Sequence, residues 1–120
     1  MSSQLPVPPP SDRMAALLST IAAQARRTND DRVRELRTAV QQARSAGLDT
    51  AGWSVAEQTA HQLTGSAGTF GYAEVSDLGR TLERLLARAG RCGADAELLR
   101  QIEALLDQVV DQLAREPDDL

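Results

Sequence analysis

Lysine is absent from the 120 residues, and cysteine, histidine, tryptophan, tyrosine and phenylalanine occur once each. A single cysteine excludes an internal disulfide framework. One histidine and one cysteine are too few for a zinc site built from those ligands. With three aromatic residues in all, the core must be assembled from Leu, Ala, Val and Ile, which suits close helix packing better than a sheet. Basic surplus is missing as well. The formal charge is −4, and all thirteen cationic residues are Arg, so a nucleic-acid partner is not expected. No apolar run approaches the ~20 residues needed to span a bilayer. The N-terminus lacks a basic region followed by an apolar core, so no signal peptide is expected. These absences leave a small, soluble, cytoplasmic domain as the expectation.

Proline is also missing where it would matter. Four of the five prolines lie within the first ten residues, and Pro117 is the fifth, so nothing blocks long helices from Ser11 to Glu116. Residues 1–11 read as a disordered Pro-rich tail, 12–116 as a helical bundle domain and 117–120 as a second tail. Helical apolar spacing in Met14, Leu17, Leu18, Ile21, Ala22 and Ala25 predicts a first helix from Ser11 or Asp12 to about Arg27. Thr28-Asn29-Asp30 breaks that pattern and offers a cap for a second helix, which carries Val33, Leu36, Val40 and Ala43 and ends at Gly47. A third helix starts near Gly52 or Ser54 and unwinds by Gly71. A fourth runs from about Ala73 to Ala89, with a turn around Cys92 bracketed by Gly90 and Gly93. The last spans about Asp95 to Arg115. The expected architecture is all-α: an antiparallel up-down four-helix bundle with an additional N-terminal helix.

His61 stands out on the third helix. On a wheel of about 100° per residue measured from Trp53, the apolar residues Ala56, Ala60, Leu63 and Ala67 cluster between about 280° and 0°, while His61 falls near 80°. The only histidine is thus predicted to project from an exposed stripe shared with Glu57, Gly65 and Gly68, with Ser54 and Gln58 beside it. Thr64 lies between that stripe and the core. A glycine inside a helix costs about 1 kcal/mol relative to alanine, so Gly65, one turn from His61, calls for a reason. Its missing side chain bares one flank of the imidazole to the reactive group of a second protein. A hydrolase triad would need a nucleophile activated by this histidine, and no spacing suggests one.

The run Ala60-His61-Gln62-Leu63-Thr64-Gly65-Ser66-Ala67-Gly68-Thr69-Phe70-Gly71 resembles the signature of histidine-containing phosphotransfer (HPt) domains. That signature has a small residue, His, any residue, an apolar residue, Lys and Gly, then small residues, an apolar residue and a second Gly. Leu78 through Leu82-Glu83 resembles the helix that follows it, and the overall likeness covers about residues 30 to 113. The chain departs at Thr64, where the family usually has a Lys that helps hold the phosphoryl group. Thr64 offers one hydrogen bond instead, and Arg80 or Arg84 is a candidate to replace the missing charge.

The resemblance implies a relay. His61 would accept a phosphoryl group, through Nε2, from the aspartate of a response-regulator receiver domain and pass it to another receiver. A hybrid sensor histidine kinase would stand upstream. Imidazole suits the task because its neutral, nucleophilic form is abundant at pH 7. Glu57 is a candidate carboxylate to orient the other ring nitrogen. No cofactor is expected in this chain, since Mg²⁺ would belong to the receiver. The domain would be a phosphoryl carrier rather than an enzyme, a monomer, and, because the chain starts at Met1 and holds nothing else, a diffusible shuttle. Two other readings compete. One is a degenerate relative that docks a receiver without carrying phosphate. The other is a helical adaptor unrelated to phosphorylation. Away from the site, Arg80, Arg84 and Arg88 read as a solvated row partnered by Asp77 and Glu83. Phe70 and Tyr72 read as a plug for the bundle end.

Overall fold

The computed structural model describes residues 10–46 and 51–115. Four helices account for nearly all of them: α1 (Pro10–Ser45), α2 (Ala51–Thr69), α3 (Ala73–Cys92) and α4 (Ala96–Leu113). Each helix packs on the next, and α4 returns to α1. The pairing is antiparallel: Arg37 bonds Asp107 at 3.0 Å, while Arg44, further along α1, meets the earlier residue Glu103 of α4. This is the expected four-helix bundle, and among the described residues there is no strand.

The additional N-terminal helix is not a separate element. The two helices expected on either side of Thr28-Asn29-Asp30 are one continuous helix of 36 residues, about 54 Å long at 1.5 Å per residue. The polar triplet does not cap because Asn29 is fully buried, and its Oδ1 accepts a hydrogen bond from Ser66 Oγ of α2 at 2.8 Å. With neither glycine nor proline between Ser11 and Ser45, three residues of middling helix propensity cost too little to break the helix. Helix α1 also begins at Pro10, inside the span expected to be tail; proline is tolerated in a first turn, where its missing N–H would be unpaired anyway. The rest of the Pro-rich tail, the end at Gly47 and the stretch from Glu116 onward lie outside the described residues.

The first half of α1 departs from expectation in its packing too. Ala25 is buried, but Met14 and Leu17 are more than half exposed, and residues 11–20 are exposed throughout. Helix α4 ends at Leu113, beside Asp30 and Val33, so no described helix lies alongside those residues.

The core is aliphatic, with Leu36, Leu63, Leu82, Leu86 and Ile102 among its largest fully buried side chains. Tyr72 is buried and Phe70 packs against the same cluster, closing one end of the bundle. Helix α3 runs through Gly90 to Cys92, so the turn expected around that cysteine is helical, and Gly93 ends it with φ 80°. The short approach to α4 is set by Asp95, whose carboxylate accepts the Leu98 N–H at 2.8 Å as an N-cap.

The turn that brings α3 back along α2 is a Schellman motif. Tyr72 N–H donates to Ala67 O at 2.8 Å and Gly71 N–H to Gly68 O at 3.4 Å, with Gly71 at φ 84°. A side chain at that φ is strained by about 1–2 kcal/mol. Gly71→Ala is therefore expected to lower stability by about that amount, read as a lower urea midpoint with an unchanged slope.

Candidate functional site

Helix α2 carries its apolar residues Trp53, Ala56, Ala60, Leu63 and Ala67 to the core, and this fixes the opposite stripe outward. His61 lies on that stripe with its side chain 72% exposed. Its Nδ1 is 2.7 Å from Oε1 of Glu83, which comes from α3 and is only 22% exposed. A carboxylate oxygen accepts, so this contact favours the ring form that carries a proton on Nδ1. That places the lone pair of a neutral ring on Nε2. A half-buried carboxylate thus biases an exposed ring toward the Nδ1–H tautomer.

The residues singled out by sequence separate into groups. Glu57, Gln58 and Ser54 line one concavity with His61 and Glu83. Within it, Glu83, not Glu57, makes the bond to the ring. Gly65 sits one turn on, and a Cβ built there meets nothing within 4 Å, so this flank of His61 is open. Gly68 lines a second concavity on the α2–α3 face with Thr69, Ser76, Asp77 and Arg80.

Thr64 does not face the ring's approach. Its hydroxyl donates to Ala60 O at 2.9 Å and packs over Gly79 of α3. The hydrogen bond it was expected to offer a phosphoryl group is already used. The arginines are not at the ring either. Arg80 bonds Asp77 at 2.6 Å, Arg84 donates to Thr81 at 3.2 Å, and neither lines the His61 concavity. Glu83, expected to serve the arginine row, bonds His61 instead.

Sequence reasoning gave no site role to Glu83, Gly79 or Ser76, because all three reach α2 from the neighbouring helix. A signal did exist. His61 and Glu83 lie almost equally far from the turn glycine Gly71, which is what an antiparallel helix pair requires of residues that meet. Among the described residues no cluster of His, Cys, Asp and Glu is arranged to hold a metal ion, and no helix is long and apolar enough to cross a membrane.

No curated protein and no solved structure matches the chain. The family comparison does give a match: the Hpt domain, over residues 20–112. That span covers most of the chain and includes all four helices in whole or in part. Hpt domains are phosphocarrier modules of two-component systems, and this chain belongs to their family.

Proposed function

We propose that His61 is the phosphoryl acceptor of this domain, taking the group from a receiver-domain aspartate and handing it to a second receiver. The observation that carries this reading is the Nδ1···Glu83 bond at 2.7 Å beneath an exposed ring. The Nε2 lone pair attacks phosphorus of the aspartyl phosphate as the P–O bond to the aspartate breaks. The aspartate leaves as a carboxylate, and the new N–P bond leaves the ring positively charged with its proton on Nδ1. Glu83 accepts that proton's hydrogen bond throughout, and its negative charge lies beside the charge the ring gains. In the reverse step the same Nδ1–H stays in place while a second aspartate takes the group.

Magnesium and the acidic pocket that activate the phosphoryl group would be supplied by the receiver. The approach over Gly65 gives that partner room to bring its aspartate to Nε2. A hybrid sensor histidine kinase and response regulators are the partners this reading calls for, and the domain itself has no turnover without them.

Incubation with a phosphorylated receiver tests the proposal. Acid-labile, base-stable label should appear on the protein. Glu83→Ala is expected to slow its appearance by about 10- to 100-fold, with Glu83→Gln retaining more activity because its amide oxygen still accepts from Nδ1–H. Equal rates for wild type and Glu83→Ala would remove Glu83 from the mechanism. Receiver binding without any label would sink the carrier reading.

A further inference from the structure

At Gly79, α3 comes close to Thr64 of α2. A Cβ built there would lie 2.2 Å from Thr64 Oγ1, 3.2 Å from Thr64 Cβ and 3.4 Å from its Cα. A Cβ there would force the Thr64 side chain to shift. The Thr64 hydroxyl is meanwhile held by its bond to Ala60 O at 2.9 Å, and Thr64 is β-branched, so its χ1 is stiff. At the same point Ser76 Oγ donates to Thr64 O at 3.3 Å.

Ser76, Gly79 and Glu83 follow one another at i, i+3 and i+7, a single face of α3. Opposite them on α2, in reverse order, stand Gly68, Thr64 and His61. The three tiers form a ladder: Ser76 beside Gly68 and the Thr64 carbonyl, Gly79 under Thr64, and Glu83 on His61. The upper tier carries the ring.

We propose that Gly79 is a positioning residue. By letting α3 close against Thr64 it delivers Glu83 to His61 Nδ1, and through that bond it sets the tautomer of the ring. Thr64 and Gly79 then form one matched contact, with Thr64 acting as a spacer between helices. This rests on the reading of His61 as phosphoryl acceptor only for its kinetic consequence, because the tautomer exists without any partner.

The test is ¹⁵N NMR of the imidazole in the full chain at a pH where the ring is neutral, together with far-ultraviolet circular dichroism for the fold. Wild type should show the Nδ1–H form as the majority. In Gly79→Ala that form should become the minority while helicity is kept, and phosphoryl acceptance should fall about tenfold. Adding Thr64→Ala to Gly79→Ala removes the hydroxyl that the new methyl meets, and should restore both the tautomer and the rate. A folded Gly79→Ala protein with the wild-type tautomer ratio would overturn the proposal. Should Gly79→Ala fail to fold, the double variant decides alone: a folded protein with an Nδ1–H ring is expected, and an Nε2–H ring contradicts it. A wild-type chain that accepts no phosphoryl group would refute the carrier reading, yet the tautomer series would still decide the role of Gly79.

Discussion

His61→Gln is expected to carry no acid-labile phosphoryl label after incubation with a phosphorylated receiver, even over times that saturate the wild type. The effect should be complete because the chain contains no second histidine to accept the group. Glutamine approximates the size of the imidazole but has no nucleophilic nitrogen, since its amide lone pair is delocalised. His61 lies on the exposed face of α2 and reaches the rest of the protein through one hydrogen bond to Glu83, so the substitution should leave the fold intact. A binding measurement on the same variant separates loss of the acceptor from loss of docking: affinity for the receiver should change little. Label that persists in the variant would move the acceptor to another side chain.

Gly65→Arg should produce the opposite pattern. The acceptor survives, and access to it is lost. A Cβ at this position meets nothing within 4 Å, so the substitution is free of clashes inside the domain and replaces a poor helix former with a good one. Stability should hold or rise slightly. The long side chain would, however, stand one turn from His61, on the flank by which the proposed receiver would approach. Receiver binding and phosphoryl acceptance are both expected to fall by about 100-fold or more, which corresponds to roughly 3 kcal/mol of lost docking. Gly65→Ala, which adds one methyl, should lie much closer to wild type. If Gly65→Arg binds and accepts phosphate normally, the partner does not use this flank. The two substitutions thus divide the site into its chemistry and its access.

The two halves of the site were unequally legible in the sequence. His61 and Gly65 stand one turn apart on a single helix, so the helical period alone places them together and outward. Glu83 and Gly79 lie 22 and 18 positions after His61, and their part in the site depends on the register between α2 and α3. Thr64 shows the same limit. As a residue type it looked like a weak replacement for a phosphate-binding cation. Its neighbour Gly79 instead makes it a packing residue, with its hydroxyl turned to Ala60 O. Arg80 and Arg84 were attractive as charges on a neighbouring helix. A charge can be counted from sequence, but the direction in which Asp77 and Thr81 draw these side chains cannot.

The fold divided similarly. Stripes of Leu and Val foretold the bundle, because amphipathic helices have few other ways to bury one face. Thr28-Asn29-Asp30 misleads because its central residue is buried against α2 and the triplet's helix propensity is not low enough to stop α1. Asn29 faces Ser66, 37 residues further along the chain, and local pattern carries no information about such a partner. Similarly, Met14, Leu17 and Leu18 have the spacing of core residues, yet the helices that would cover them end before reaching that part of α1.

In the proposed mechanism His61 carries the phosphoryl group on the nitrogen that Glu83 leaves free. ³¹P NMR of the chain after reaction with a phosphorylated receiver, with the ring labelled with ¹⁵N, tests it directly. One phosphoramidate resonance coupled to Nε2 of His61 is expected, with Nδ1 still protonated. A phosphoramidate on Nδ1, or a receiver-bound chain with no phosphoramidate at all, would contradict it.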